Sequence, residues 1–202
     1  MLVVISHPYP LTNEADYINA LFDEGMEVFH LRQPDVLVDE LKQLLDNIKP
    51  AYHNKIALHQ HHEIKNEYGI TRLHFTEVKR KGMSEKKFLQ LTDSNNIFST
   101  SIHQTEDYQK LSPCFSYTFF GPVFNSISKE GYTSTLSNGF IFPVEKSHSK
   151  VIAIGGINAT NMRETMNMKF SGVAVLGAIW QKPNESIQQF KAIQKAWTQI
   201  DQ

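Results

Sequence analysis

The sequence has a single cysteine, Cys114, so no internal disulfide can form. No apolar run approaches the length of a membrane span. The apolar opening over residues 1–6 has no positive flank and meets His7 and Pro8 at once, so it reads as a first strand rather than a signal segment. Excess charge is lacking too: 20 Lys and Arg against 21 Asp and Glu give a formal net charge of −1. Such a chain has no long-range field to draw nucleic acid or an anionic membrane, and any anion must be bound by local groups. There is no low-complexity tract. These absences predict a cytoplasmic protein in which residues 1–202 form one domain, without nucleic-acid or membrane partners.

What is present is a rhythm. Apolar strand-like runs at 2–6, 27–31, 55–58, 72–75, 96–101, 114–120, 151–154 and 172–176 alternate with amphipathic stretches. That pattern predicts βα units on a parallel sheet, and eight of them predict a (β/α)₈ barrel near the lower end of its usual length. The first helix is expected to start at Thr12 as N-cap and stop at Gly25, and the second to be capped by Asp35 and stopped by Pro50. Shorter helices are expected over 63–68, 84–91 and 105–111, and a last one over 185–200 burying Ile187, Phe190, Ile193 and Trp197. The interval from 121 to 149 breaks the rhythm. It is rich in Gly, Ser, Thr, Pro and Asn, and it carries Ser126, Ser128 and Lys129 on a long loop after the sixth strand.

In such a barrel the chemistry lies at the carboxyl ends of the strands. The stretch Val-Ile-Ala-Ile-Gly-Gly-Ile-Asn over 151–158 ends a buried strand in Gly155 and Gly156, and Gly-Val-Ala-Val-Leu-Gly over 172–177 repeats the design, ending in Gly177. Bare backbone at two neighbouring strand ends suits a phosphate; the plainer reading is a tight strand-to-helix turn. Positions two apart on an extended chain point the same way, which pairs His30 with Arg32, His59 with His61 and Ser101 with His103. Arg32 and Lys129 are the natural anion partners, or else solvated surface charges. His103 is a candidate proton shuttle, or else a cap for the following helix. The run His-Gln-His-His over 59–62 invites a metal, but the strand ends offer no carboxylate ligand beside it except Glu63 and Glu77, so none is expected and the cluster reads as a polar mouth.

Five motifs in order resemble the thiamine phosphate synthase family and its thiazole tautomerase relatives: Phe-His-Leu-Arg-Gln at 29–33, Ser-Thr-Ser-Ile-His at 99–103, the segment 120–131 that opens Phe-Gly-Pro-Val-Phe, and the two glycine motifs. The resemblance covers nearly the whole chain and implies a (β/α)₈ fold and a thiamine-pathway enzyme. It also implies a thiazole phosphate held by Ser126, Ser128, Lys129, Gly155, Gly156 and Gly177. The synthase pattern departs at the other half of the site. The lysine expected after Arg32 is Pro34, the Asn-Asp pair after strand three falls on His59 and Gln60, and the acidic residue after strand four falls near Val78 and Lys79. Magnesium usually needs at least one carboxylate. The resemblance therefore implies first a tautomerase, with His103 as acid and base, Arg32 on the substrate carboxylate, and His30, His59 and Ser101 lining the site. The alternatives are a thiamine phosphate synthase, which alone would need Mg²⁺, and a non-catalytic binder of thiazole or thiamine phosphate. No other cofactor is expected, and a homodimer is allowed.

Overall fold

The apolar runs become strands because each is buried on both faces. In β1 (Leu2–Ile5), Leu2 and Val4 pack outward against the helices, whereas Val3 and Ile5 join a separate inner cluster with Val28, Tyr117, Phe119, Ile152 and Ala174. Period-two alternation thus splits one apolar run between two cores, and each aliphatic side chain buried this way contributes about 1.5–3 kcal/mol. The computed structural model describes residues 1–92, 95–125, 136, 139–143 and 148–199. The other strands are β2 (Val28–Leu31), β3 (Ile56–Leu58), β4 (Arg72–Phe75), β5 (Ile97–Ile102), β6 (Phe115–Phe120), β7 (Lys150–Ile154) and β8 (Gly172–Val175). All pair in parallel and in chain order, and β8 returns to β1 to close the barrel. Each bound lies within one residue of the sequence expectation.

The helices are α1 (Glu14–Asp23), α2 (Val38–Asp46), α3 (Glu77–Lys81), α4 (Glu85–Thr92), α5 (Thr105–Tyr108), α6 (Met162–Asn167), α7 (Gly177–Trp180) and α8 (Ser186–Thr198). Their starts correct the sequence reading. Thr12 does not cap α1: Asn13 stands before it in the left-handed region with no side-chain cap bond, and the Leu11 N–H donates to Glu14 Oε2 instead. Asp35 does not cap α2 either, since the Glu40 carboxylate accepts the Leu37 N–H at 2.9 Å. In both cases a glutamate reaches back three residues to the orphan donor, and the nearby short polar residue is not needed. The third helical stretch is a 3-10 turn (His62–Asn66), and α5 stops three residues before the expected 111. In α8, Phe190 and Ile193 are buried as expected, while Ile187 and Trp197 are only partly so.

Closure is fastened from both ends of β1. The Val173 N–H donates to the Met1 carbonyl at 3.0 Å, and the Trp180 indole N–H donates to the Ile5 carbonyl at 2.6 Å. Inside the barrel the lining is divided. β1, β7 and β8 supply Val3, Ile5, Ile152 and Ala174, whereas β2 to β5 supply His30, His59, His74 and Ser99, all buried. The carboxyl ends of those polar strands carry the candidate site.

Candidate active site at the carboxyl ends of the strands

Arg32 follows β2 directly, and its backbone is pinned by Ser6. The Ser6 Oγ accepts the Arg32 N–H at 2.8 Å and donates to the Arg32 carbonyl at 3.0 Å. The side chain is half-buried, and its guanidinium has no hydrogen-bond or ion-pair partner among the described residues. A half-buried, unpartnered guanidinium leaves its fork of donors free, and that fork has the geometry of a carboxylate or phosphate edge. The neighbouring Gln33 turns away. Its amide donates to both oxygens of Glu14, at 2.9 and 2.8 Å, and burial raises the Glu14 pKa while the Gln33 bonds partly offset that rise.

His103 follows β5 at the rim. Its Nδ1 lies 2.8 Å from the Gly121 carbonyl at the end of β6, so that nitrogen carries the proton and Nε2 is the basic one. Nε2 faces Glu77 Oε2 at 3.7 Å. Glu77 is in turn held by Lys81 at 2.7 Å and Arg80 at 3.6 Å, and Lys81 also reaches Asp107 at 3.2 Å. The alternative role of His103 as a helix cap has no support, because Gln104 precedes α5 and no side-chain cap bond is made there.

The sequence pairing by alternation holds only in part. His30 points into the barrel, with Nε2 at 2.7 Å from the Tyr117 hydroxyl and Nδ1 at 2.8 Å from His59 Nε2. His59 stacks on His74 with ring centroids 4.0 Å apart. His74 uses Nδ1 toward Ser99 Oγ at 2.9 Å and Nε2 toward Ser101 Oγ at 3.2 Å. Burial, before any neighbouring charge, holds His30 and His59 well below the ordinary imidazole range and lowers His74 to about 3. All three rings are therefore neutral at physiological pH. His61 does not accompany His59: β3 ends at Leu58, His61 lies in the left-handed region, and its Nε2 meets the Val36 carbonyl at 3.0 Å. His62 folds back to the Leu58 carbonyl at 3.0 Å. The contact of His74 with His59 is not visible in the sequence, because it depends on β3 and β4 being neighbours in this register.

Gly155 and Gly156 have φ of 104° and 65°, both in the region that favours glycine. The chain after β6 also packs directly against them. A Cβ on Gly155 would lie 2.8 Å from Pro122 Cα, and one on Gly156 would lie 2.6 Å from the Asn125 carbonyl oxygen. The turn reading of these glycines is thus correct. It does not consume the Gly156 amide, which has no partner among the described residues, while its carbonyl accepts from Asn161 Nδ2 at 2.9 Å. Gly177 opens α7 on the adjacent strand end. Ser126, Ser128 and Lys129 lie outside the described residues.

A barrel with this arrangement of strand-end groups has named relatives. Residues 1–179 match the family described as thiamine monophosphate synthase. The chain belongs to the thiamine phosphate synthase/TenI family. It is 24% identical over 184 residues to a thiamine-phosphate synthase of Staphylococcus saprophyticus, covering 87% of this chain and 85% of that one. Among solved structures, a thiamine phosphate pyrophosphorylase from Bacteroides thetaiotaomicron superposes with a TM-score of 0.73 at 25% identity, covering 96% of each chain. One from Pyrococcus furiosus superposes at 0.79 with 17% identity over 98% of this chain and 96% of that one, a likeness that shows the fold. The chain is accordingly an enzyme of a thiamine-biosynthesis family. No helix among the described residues is long and apolar enough to cross a membrane.

Magnesium, which a synthase reading requires, does not fit the groups present. At the expected positions the described donors are the buried His59, the Gln60 amide spent on the Gln33 carbonyl, and exposed Val78 and Lys79. The nearest acid, Glu77, is neutralised by Lys81 and Arg80. A hard cation that prefers carboxylate oxygen finds imidazole nitrogen instead.

Proposed function

We propose that this enzyme binds a thiazole carboxylate phosphate and catalyses its tautomerisation. The observation that supports this reading best is that the carboxyl ends of the strands carry both an unpartnered Arg32 guanidinium and a His103 ring whose basic Nε2 is defined by the Gly121 bond. Arg32 holds the substrate carboxylate, and the backbone at Gly155, Gly156 and Gly177 receives the phosphate; the family resemblance adds Ser126, Ser128 and Lys129, outside the described residues, as substrate-binding groups. His103 takes a proton from one ring position through Nε2 and returns it to another. A positioned acid–base group of this kind contributes roughly a hundredfold to ten-thousandfold in rate. His30, His59 and Ser101 line the floor and keep it polar. The reaction requires no cofactor, and thiazole phosphate is the small-molecule partner of a cytoplasmic enzyme.

A second reading, thiamine phosphate synthesis from a pyrimidine diphosphate and thiazole phosphate, is favoured by the names of the relatives. The two separate in one experiment. The enzyme is given the thiazole carboxylate phosphate in deuterated water, and in a parallel vessel the pyrimidine diphosphate, thiazole phosphate and magnesium. Solvent deuterium entering the thiazole, with little or no thiamine phosphate in the second vessel, supports the tautomerase. Magnesium-dependent thiamine phosphate formation at ordinary enzyme rates establishes the synthase, and stoichiometric binding without exchange or coupling leaves only a binder.

A further inference from the structure

The inner wall of the barrel brings together three histidines from three adjacent strands. His30, His59 and His74 each present one ring nitrogen, and these atoms all lie within 4.8 Å of one another. No proton-transfer step described above uses them. We propose that they form a three-imidazole site for a borderline divalent transition ion of the zinc class.

The hydrogen bonds around two of the three rings, His30 and His74, are those a metal site needs. In such sites a ligating histidine engages its other ring nitrogen with an outer partner, which fixes the ring and selects the free nitrogen. His30 engages Nε2 with the Tyr117 hydroxyl at 2.7 Å, leaving Nδ1 directed at His59. His74 engages Nδ1 with the Ser99 hydroxyl at 2.9 Å and offers Nε2, whose hydrogen-bond contact is the Ser101 hydroxyl at 3.2 Å. His59 enters through Nε2, the nitrogen that meets His30 Nδ1 at 2.8 Å. Two imidazole nitrogens at that distance share one proton, and a metal ion replaces that proton. Bonds of about 2.0–2.1 Å to a tetrahedral ion set ligand nitrogens about 3.4 Å apart, so His30 and His59 need part by only about half an ångström, while His74, stacked on His59, turns its ring to bring Nε2 to the ion.

The donor set selects the ion. Three neutral nitrogens without a carboxylate suit zinc, cobalt or copper and reject magnesium and calcium. Three protein ligands also leave the fourth position open to water or another small donor, as in zinc sites that stay accessible. The half-buried Ser101 hydroxyl, 3.2 Å from His74 Nε2, is the polar neighbour on the side of the mouth. Sequence spacing cannot display this site, because its ligands are 29 and 15 residues apart and come together only through the register of β2, β3 and β4.

The test is metal binding, and its readout is independent of turnover and so of the proposed reaction. Protein without a histidine tag is stripped with a chelator, dialysed and titrated with Co²⁺ and with Zn²⁺. We expect one equivalent of Co²⁺ to give the intense visible absorption of a four-coordinate ion, Zn²⁺ to abolish it stoichiometrically, and excess Mg²⁺ to leave it unchanged. His59→Gln and, separately, His30→Gln should weaken Co²⁺ binding at least a hundredfold, while His61→Gln and His62→Gln should not. Wild-type protein that takes up neither ion overturns the proposal, whether or not the variants fold. Binding that survives both His59→Gln and His30→Gln overturns it as well, because the ion then lies elsewhere.

Discussion

His103 donates from Nδ1 to the carbonyl of Gly121, joining the end of β5 to the end of β6 across 2.8 Å. The bond fixes the ring's tautomer and faces the free nitrogen toward Glu77. Structure and chemistry at this residue are therefore separable by substitution. In His103→Gln the side-chain amide can still donate to Gly121, so the melting temperature should hold while the tautomerase rate falls a hundredfold or more. His103→Ala should lose both, with the structural loss about 1 kcal/mol for one hydrogen bond. Normal exchange of solvent deuterium by the glutamine variant would remove His103 from the chemistry.

Arg32 makes the opposite case, a side chain with no protein bond to lose. Arg32→Ala should leave urea stability within about 0.5 kcal/mol of the parent. Its affinity for the thiazole carboxylate phosphate, by calorimetry, should drop roughly tenfold to a hundredfold, the cost of one charge-assisted pair. Arg32→Lys should recover only part of the loss, since an ammonium cannot grip two oxygens at once. Equal affinity in all three proteins would place the carboxylate elsewhere.

The glycines call for two variants rather than one. Gly156→Ala forces a Cβ to within 2.6 Å of the Asn125 carbonyl at φ 65°, so it should destabilise the fold by about 1–3 kcal/mol whatever it does to binding. Gly177 is not among the left-handed glycines. Gly177→Asp is the cleaner probe of the phosphate, introducing a negative charge where the phosphate is placed. It should reduce thiazole phosphate affinity at least tenfold, and unchanged affinity would disprove a phosphate at that strand end.

Acid should weaken the barrel well before its carboxylates titrate. Burial holds His30 and His59 far below 6.5 and His74 at about 3, so in the folded state all three stay neutral while the unfolded chain takes up protons below pH 6.5. Their contribution is complete above the unfolded value and declines as pH falls toward 3. Each such histidine removes about 1.4 kcal/mol per pH unit over that range. Urea unfolding in the presence of a chelator should show a marked loss between pH 7.5 and 5.5, and His74→Leu should shrink it by about a third if the variant folds. Equal stability of the parent at the two pH values would refute the neutral buried cluster.

The strands were legible because being buried on both faces leaves a mark in the sequence: Leu2 to Ile5, or Val151 to Ile154, are apolar on both alternations. Helix starts were less so. Thr12 and Asp35 have the right side chains for a cap, but the helices start later, at Glu14 and Val38, and Glu14 and Glu40 reach back to the Leu11 and Leu37 amides. At the site, alternation pairs His59 with His61, but the two part because the strand stops at Leu58 and a left-handed residue resets the direction. The partnership of His30, His59 and His74 was invisible, since it depends on which strands are neighbours and in what register.

The clasp of Trp180 on the Ile5 carbonyl ties residues 175 positions apart, and β1 gains its second neighbour only from β8. On the ribosome, then, the first strand waits with one edge open through most of the chain's synthesis, and every incomplete product that lacks β8 presents two bare strand edges. Bare strand edges are templates for pairing with another chain. The barrel is in this sense an all-or-nothing object, whose solubility as well as its activity is decided by its last strand.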